Sequence, residues 1–315
     1  MRILIELPSW LGDTVMTTPA IENLLGFYKK SEVTLIGSLA SIELFKKHPK
    51  VKRILIIEKR YLYLYQSIKS LGNFDLFISF RGSFRSKFIK FIVSTRRKYH
   101  YDFTKYNNCH QVEKYNHFIN SITNNYSSPG KLIIHKENYK TKDNNDKKIL
   151  GINPGASYGS AKRWYPKEFA DVATHLSDKY NIIIFGGPNE VDIAYEIENY
   201  LIQRNIKNYK NLSGQTSISD LIREISSLNF LITGDSGPMH IAAAFKIPTI
   251  SIFGPTKSLE TSQWQNDTSV IIKKNLQCQP CMRRVCPLKH HNCMKKIKAK
   301  NVLDAFQEMD YGLNS

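Results

Sequence analysis

One pattern restricts this chain more than any other: short apolar runs alternate with helix-spaced segments, stop, and begin again. Arg2–Leu7 is a β-branched and Leu-rich run ended by Pro8, and Asp13–Leu25 carries apolar residues at helical spacing. Val33–Ile36, Ile54–Ile57 and Leu76–Phe80 are short buried-strand candidates, with helical spacing between several of them. Lys140–Lys148 has no apolar residue and reads as a linker. Beyond it the alternation restarts. Strands are expected at Ile149–Asn153, Ile182–Phe185, Phe230–Thr233 and Thr249–Phe253, and helices at Pro166–Tyr180, Glu190–Gln203, Ser219–Leu228 and Pro238–Phe245.

Strands alternating with helices predict parallel sheets covered on both faces. Two such runs of similar size predict an α/β protein of two domains, residues 1–145 and 146–300, forming a bilobed molecule with a cleft. Ligands of these sheets bind at the carboxyl ends of the strands. Asn301–Met309 has helical spacing and is a candidate to return to the first domain, within a C-terminal segment 301–315. The length of 315 residues suits two domains, and 42% hydrophobic residues suffice for real cores. No stretch reaches the roughly 20 apolar residues that span a bilayer, and the start lacks a signal peptide's apolar core. A cytosolic chain is expected, with peripheral membrane contact left open.

A net charge of +18 calls for an acidic partner unless it only reflects scattered lysines. Two runs are not scattered. Between Asp75 and Asp102 there is no acid, but there are Arg81, Arg85, Lys87, Lys90, Arg96, Arg97 and Lys98; Asp267 to Asp304 is equally free of acids and rich in Lys and Arg. The stretch Phe84–Ile92 mixes cations with apolar side chains. Arg81, Arg85, Lys87 and Lys90 therefore suit a surface resting on phosphorylated head groups; a core helix with a basic outer face is the alternative.

The first strand does not enter a G-x-G-x-x-G turn, which argues against a dehydrogenase-type dinucleotide site. It enters Pro8-Ser9-Trp10-Leu11-Gly12-Asp13, where Asp13 is either a helix N-cap or a general base. In the second half, the small residues of Pro154–Gly159 let backbone amides approach an anion, and Lys162 adds a point charge. Gly186-Gly187-Pro188-Asn189-Glu190 forms a turn whose acid either caps it or accepts from a ribose hydroxyl. Thr233-Gly234-Asp235-Ser236-Gly237-Pro238-Met239-His240 is the most informative: a strand ends, a turn follows, and Pro238 opens a helix whose free amides make an anion site. His240 is either structural or within reach of a phosphate. With no Asp-x-Asp pair present, Lys162 and the Gly237 helix start would neutralise a departing diphosphate without a metal, which predicts a nucleotide-sugar donor in the second half.

Together these motifs resemble the ADP-heptose:lipopolysaccharide heptosyltransferases, over essentially the whole length. Pro8–Asp13 looks like the family's N-terminal signature in its heptosyltransferase II form; Gly155–Trp164 and the late Cys-x-Pro-Cys are similar to the same subgroup, and Gly234–His240 is similar to the donor turn. The resemblance implies a GT-B fold and inverting transfer from ADP-L-glycero-β-D-manno-heptose to the first heptose on Kdo-lipid A, with no cofactor required for the chemistry. It implies Asp13 as the base. It further implies Ser157, Tyr158 and Lys162 at the phosphates, Gly187 and Glu190 at the ribose turn, and Thr216 near adenine. Asp235 would hold the heptose hydroxyls, and Ser236, Gly237, Met239 and His240 the diphosphate side. The inner face of the cytoplasmic membrane would be the working surface.

Cys278, Cys281, Cys286 and Cys293, with His290 and His291 among them, are a candidate structural zinc site or plain thiols; disulfides do not suit a reducing cytosol. Within the family, heptosyltransferase I or a later-core heptosyltransferase is the alternative. A nucleic-acid-binding protein fits the charge, but the basic residues do not interleave with a base-stacking module, so no nucleic-acid partner is expected. A sugar-nucleotide isomerase would need no acceptor.

Overall fold

The computed structural model describes residues 1–57, 60–135 and 147–314. They fall into two compact units, Met1–Glu137 and Asn138–Ser315. The first runs β1 (Arg2–Glu6), α1 (Leu11–Met16), α2 (Thr18–Phe27), β2 (Glu32–Gly37), α3 (Leu39–Phe45), β3 (Val51–Ile56), α4 (Tyr61–Ser70), β4 (Leu76–Ser79), α5 (Phe84–Ile92), β5 (Arg97–His100) and α6 (Gln111–Thr123). Its parallel sheet has the order β3-β2-β1-β4-β5. Leu64 and Ile68 of α4 and Ile89 and Ile92 of α5 close one apolar core over Leu4, Ile36 and Phe77. Each such side chain contributes on the order of 2 kcal/mol when removed from water.

The helix expected over Asp13–Leu25 is two helices, because Pro19 has no N–H to give the Val15 carbonyl. The Thr18 hydroxyl donates to that oxygen instead, at 2.8 Å. The polar linker lies, up to position 146, outside the described residues, and Lys148 already belongs to the next strand.

The second unit runs β6 (Lys148–Asn153), α7 (Pro166–Leu176), β7 (Tyr180–Ile184), α8 (Val191–Gln203), β8 (Tyr209–Asn211), α9 (Ile218–Ser226), β9 (Phe230–Gly234) and α10 (Gly237–Ala244). Then follow β10 (Thr249–Phe253), α11 (Ser258–Thr261), β11 (Ser269–Lys273), α12 (Asn292–Lys295) and α13 (Ala299–Asn314). The parallel sheet is ordered β11-β10-β9-β6-β7-β8. Trp164 is fully buried in its core, its indole N–H donating to the Ile297 carbonyl at 2.9 Å.

The C-terminal segment is helical as expected. Val302, Ala305 and Phe306 form an apolar stripe on the core of the second unit, and Phe306 meets Tyr180 and Phe230 edge-on. That stripe is satisfied locally.

Both units are Rossmann-like sheets, and each has one topological switch point, where consecutive connections leave in opposite directions. It lies between β1 and β4 in the first and between β6 and β9 in the second. Ligands of such sheets bind beside that point.

Candidate active site

In the second unit the predicted donor residues gather at the switch point. Asn153 ends β6 directly opposite Thr233 of β9. Its side-chain amide donates to the Thr233 hydroxyl at 3.3 Å and to the Ser236 hydroxyl at 3.1 Å, tying the two strand ends together. Ser236 is the N-cap of α10 with extended backbone, yet its side chain makes no cap bond. Its oxygen is engaged by Asn153 and Thr233 instead. Ser217 shows the ordinary alternative: at the start of α9 its hydroxyl accepts from the Asp220 amide at 3.1 Å, a bond worth about 1 kcal/mol. At α10 that contribution is forgone, and the Gly237 end of the helix receives no cap from its serine side chain. An anion is the ligand such a helix end favours.

Lys162 and Asp235 face this turn as an ion pair, Nζ to Oδ2 at 2.6 Å, both largely buried. The Thr256 hydroxyl donates to the same Oδ2 at 2.6 Å. Lys162, expected as a free phosphate cation, is thus neutralised before any ligand arrives, because burial demands a counter-charge. Met239 and His240 are also buried, and Met239 packs with no exposed surface at all. Both sit in the first turn, but the Met239 side chain belongs to the core.

Glu190 is buried at its turn. One carboxylate oxygen caps the turn by accepting from the Gly187 amide at 2.8 Å, and the other lies 3.5 Å from the Ser157 hydroxyl. A Cβ on Gly155 would fall 2.1 Å from that carboxyl carbon, so any larger residue would displace the Glu190 carboxylate. Thr216 is half-buried in the loop between β8 and α9. The Gly214 amide donates to the Gly186 carbonyl at 2.9 Å and holds that loop beside the Gly187 turn. Tyr158 turns outward, its hydroxyl donating to the Met282 carbonyl at 2.7 Å.

The first unit positions Asp13 by itself. Trp10 takes the N-cap place in extended backbone, without a side-chain cap bond, so Asp13 stands in the first turn of α1 and is not the N-cap residue. The preceding turn is pinned by hydroxyls: Thr14 donates to the Trp10 carbonyl at 2.9 Å, Ser38 to the Ser9 carbonyl at 3.2 Å, and Ser41 to the Pro8 carbonyl. Asp13 is half-buried and within electrostatic reach of two phenols. Burial, with the Asp13 charge adding, pushes Tyr101 up to about 12 and Tyr115 well above the usual phenol range.

A second acid of this unit is also engaged at a strand end. Glu6 ends β1 opposite Ser79 of β4 and is fully buried. It accepts from Ser79 at 2.6 Å and Ser86 at 2.8 Å, and Arg81 stands 3.8 Å away. Burial raises its carboxyl above the ordinary range, although the hydroxyls and Arg81 pull the other way. Arg81 is therefore the partner of a buried acid and not a free surface cation. Arg85 lies over the Tyr61 ring, Lys87 is exposed and Lys90 is half-buried. The signal for Glu6 and for Asn153 was available: each is a polar residue closing a strand whose interior is apolar or glycine.

Cys278, Cys281 and Cys286 lie close enough to Cys293 to act on its thiol, but no three of these sulfurs come within 4.8 Å of one another. All four are free; Cys293 is buried in the core on α12, which pushes its thiol up to about 11, while the other three lie half-exposed in the preceding loop. Among the described residues only Glu22, His48 and His135 offer three ligand atoms within 4.8 Å of one another. Even there, Nδ1 of His48 accepts from the Lys50 amide at 3.2 Å, so Nε2 carries the proton and donates to Glu22 at 2.9 Å. A metal needs that nitrogen deprotonated. These residues fit a hydrogen-bonded cluster and do not fit a zinc site.

A family model described as glycosyltransferase family 9 (heptosyltransferase) matches residues 63–292. The chain belongs to that family. This family 9 member is 43% identical over 314 residues to "Lipooligosaccharide heptosyltransferase 2" of Campylobacter jejuni subsp. jejuni serotype O:2, covering 96% of this chain and 97% of that one. Its fold matches E. coli ADP-heptose lps heptosyltransferase II with a TM-score of 0.82 at 20% identity, over all of both chains. It also matches E. coli heptosyltransferase WaaC with ADP-2-deoxy-2-fluoro heptose, at TM-score 0.71 and 16% identity, over 98% and 99% of the two chains. The expected class holds: an α/β glycosyltransferase built of two Rossmann-like domains, as in the GT-B heptosyltransferases.

Proposed function

We propose that this glycosyltransferase is a heptosyltransferase II, moving heptose from ADP-L-glycero-β-D-manno-heptose to the first heptose of the lipopolysaccharide inner core. The observation that carries the donor reading is the uncapped start of α10. Ser236 is held off its own helix by Asn153, and the Asp235–Lys162 pair stands beside the open turn. The identity to a lipooligosaccharide heptosyltransferase 2 over the full length supports the core step.

In the reaction, Asp13 takes the proton of the acceptor hydroxyl. The hydroxyl oxygen bonds to the anomeric carbon from the face opposite ADP, the bond from that carbon to the diphosphate breaks, and the electron pair leaves with ADP. Ser157, Lys162 and the α10 start hold the diphosphate side, Glu190 and Gly187 the ribose, Thr216 the adenine, and Asp235 the heptose hydroxyls. Positioning and leaving-group electrostatics supply most of the acceleration.

The acceptor is lipid-borne heptosyl-Kdo-lipid A, and the enzyme works in the cytoplasm at the inner face of the membrane. No helix of the described residues is long and apolar enough to cross a bilayer. Phe84 and Phe91, 78% and 82% exposed, flank exposed Lys87 on one stripe of α5, a mixture suited to anionic head groups. Binding to anionic vesicles that fades with salt is the expected behaviour, and equal binding to neutral vesicles would refute it.

The deciding experiment is ADP release from ADP-heptose with defined acceptors. Release dependent on heptosyl-Kdo-lipid A is expected. Release with Kdo-lipid A alone would make the enzyme a heptosyltransferase I, and release without acceptor would point to isomerase or hydrolase chemistry.

A further inference from the structure

The ion pair between Lys162 and Asp235 leaves a charge unaccounted for. A nucleoside diphosphate brings more than one negative charge, whereas the pair is neutral as a unit. A second cation stands close by, supplied by the cysteine-rich loop between β11 and α12. The guanidinium of Arg284 lies 5.5 Å from the centre of the Tyr158 ring, and Lys162 Nζ lies 4.8 Å from the same ring.

This arrangement is built. The Ala161 amide donates to the Arg284 carbonyl at 3.0 Å, and the Tyr158 hydroxyl donates to Met282 at 2.7 Å. His291 bonds the Ala161 carbonyl through Nε2 at 2.9 Å. Gly159 has φ near 155°, and a Cβ there would sit 2.3 Å from the Arg284 carbonyl, so the loops approach as closely as two backbones can. The cysteine-rich loop is held equally to the turn after β10, through Met282 to Pro255 at 2.9 Å and Gln279 to Gly254 at 2.6 Å. In the same donor loop, Arg163 Nε is buried without a hydrogen-bond partner. Lys162 and Arg284 reach one ring from two loops, and like charges so placed favour an anion joining them.

We propose that Arg284 is a phosphate-binding residue for the donor, delivered to the diphosphate by the cysteine-rich loop. The guanidinium fork suits two phosphate oxygens at once, which a lysine point charge cannot match. The loop's role is then to carry this arginine, and Gly159 is the price of its approach. The proposal rests on the reading of the chain as an ADP-heptose-dependent transferase.

The test is calorimetric binding of ADP and AMP to the full-length protein, to Arg284→Ala and to Arg284→Lys. The alanine variant keeps the backbone bond to Ala161. Its ADP affinity should fall about ten- to hundredfold, the size expected for a lost charge-assisted contact. AMP affinity should change less, and lysine should restore part of the loss. ADP affinity within twofold of the parent would overturn the proposal, as would equal losses for ADP and AMP, which would mean a displaced loop. A parent protein that binds no ADP would overturn the donor reading with it, so the two failures are told apart by the parent alone.

Discussion

The two sheets solve the same problem at their switch points with different chemistry. In the first unit a carboxylate, Glu6, bridges to Ser79 across the strand ends; in the second an amide, Asn153, bridges to Thr233. Both close the gap where two connections diverge. Burial disfavours the charged form of the carboxylate, and Ser79, Ser86 and Arg81 offset part of that cost. The amide is neutral, donates to Ser236, and adds no negative charge where an anion is expected. The position is therefore structural in both units, and the difference in charge accords with the proposed ligands. An acid is tolerable beside a sugar hydroxyl, whereas a diphosphate calls for an uncharged bridge.

The largest expected effect separates the chemistry of the two units. Asp13→Asn should lower kcat by on the order of 10²–10⁴-fold, the usual contribution of a positioned base, with ADP binding unchanged. Near-parental turnover would remove Asp13 from the mechanism. Next comes the first switch point itself. Glu6→Ala orphans the hydroxyls of Ser79 and Ser86 and leaves Arg81 unpaired, and should cost about 2–3 kcal/mol in denaturant unfolding. An unchanged midpoint would mean the bridge is idle.

The comparison can be broken more directly by giving the second switch point the charge of the first. Asn153→Asp places a carboxylate under the α10 start and removes the donor to Ser236. ADP affinity should drop roughly tenfold, as for one lost hydrogen bond to a charged group. Tighter binding would show that the neutrality of Asn153 is accidental.

The smallest effects are in pH dependence, where two acids of the first unit have opposite signs. The hydrogen bond from His48 holds Glu22 below the usual carboxylate range. Its contribution is full above the unfolded value near 4.5 and is lost as pH falls through the lowered folded value. Burial holds Glu6 above 4.5, so the folded state keeps its proton longer, and stability falls as pH rises from there through the raised value. Relative to the parent, Glu22→Gln should lose stability with rising pH and Glu6→Gln should gain it, read from unfolding midpoints between pH 3 and 7. Parallel slopes would contradict the two assignments.

Much of the fold was legible in the chain because the inner strands are apolar on both faces. β1, β2, β4, β6, β7, β9 and β10 all announce themselves as runs of Ile, Leu, Val and Phe. The strands that escaped notice are β5, β8 and β11, each at an edge of its sheet. An edge strand is paired on one side and open to water on the other, so Arg97–His100 and Tyr209–Asn211 need no apolar run. Backbone hydrogen bonds to the neighbour hold them there.

The chain by itself determined the class of fold, the family and the turns that carry chemistry, because strand periodicity, turn glycines and short motifs are local properties. Tertiary structure alone decided how those residues are used. Only folding brings Lys162 onto Asp235 and turns Ser236 from a cap into a partner of Asn153. It also buries Glu6 against Arg81, and carries Arg284 to a loop more than a hundred residues away in sequence. Charge compensation and desolvation depend on which groups meet in space, and adjacent residues carry no record of that.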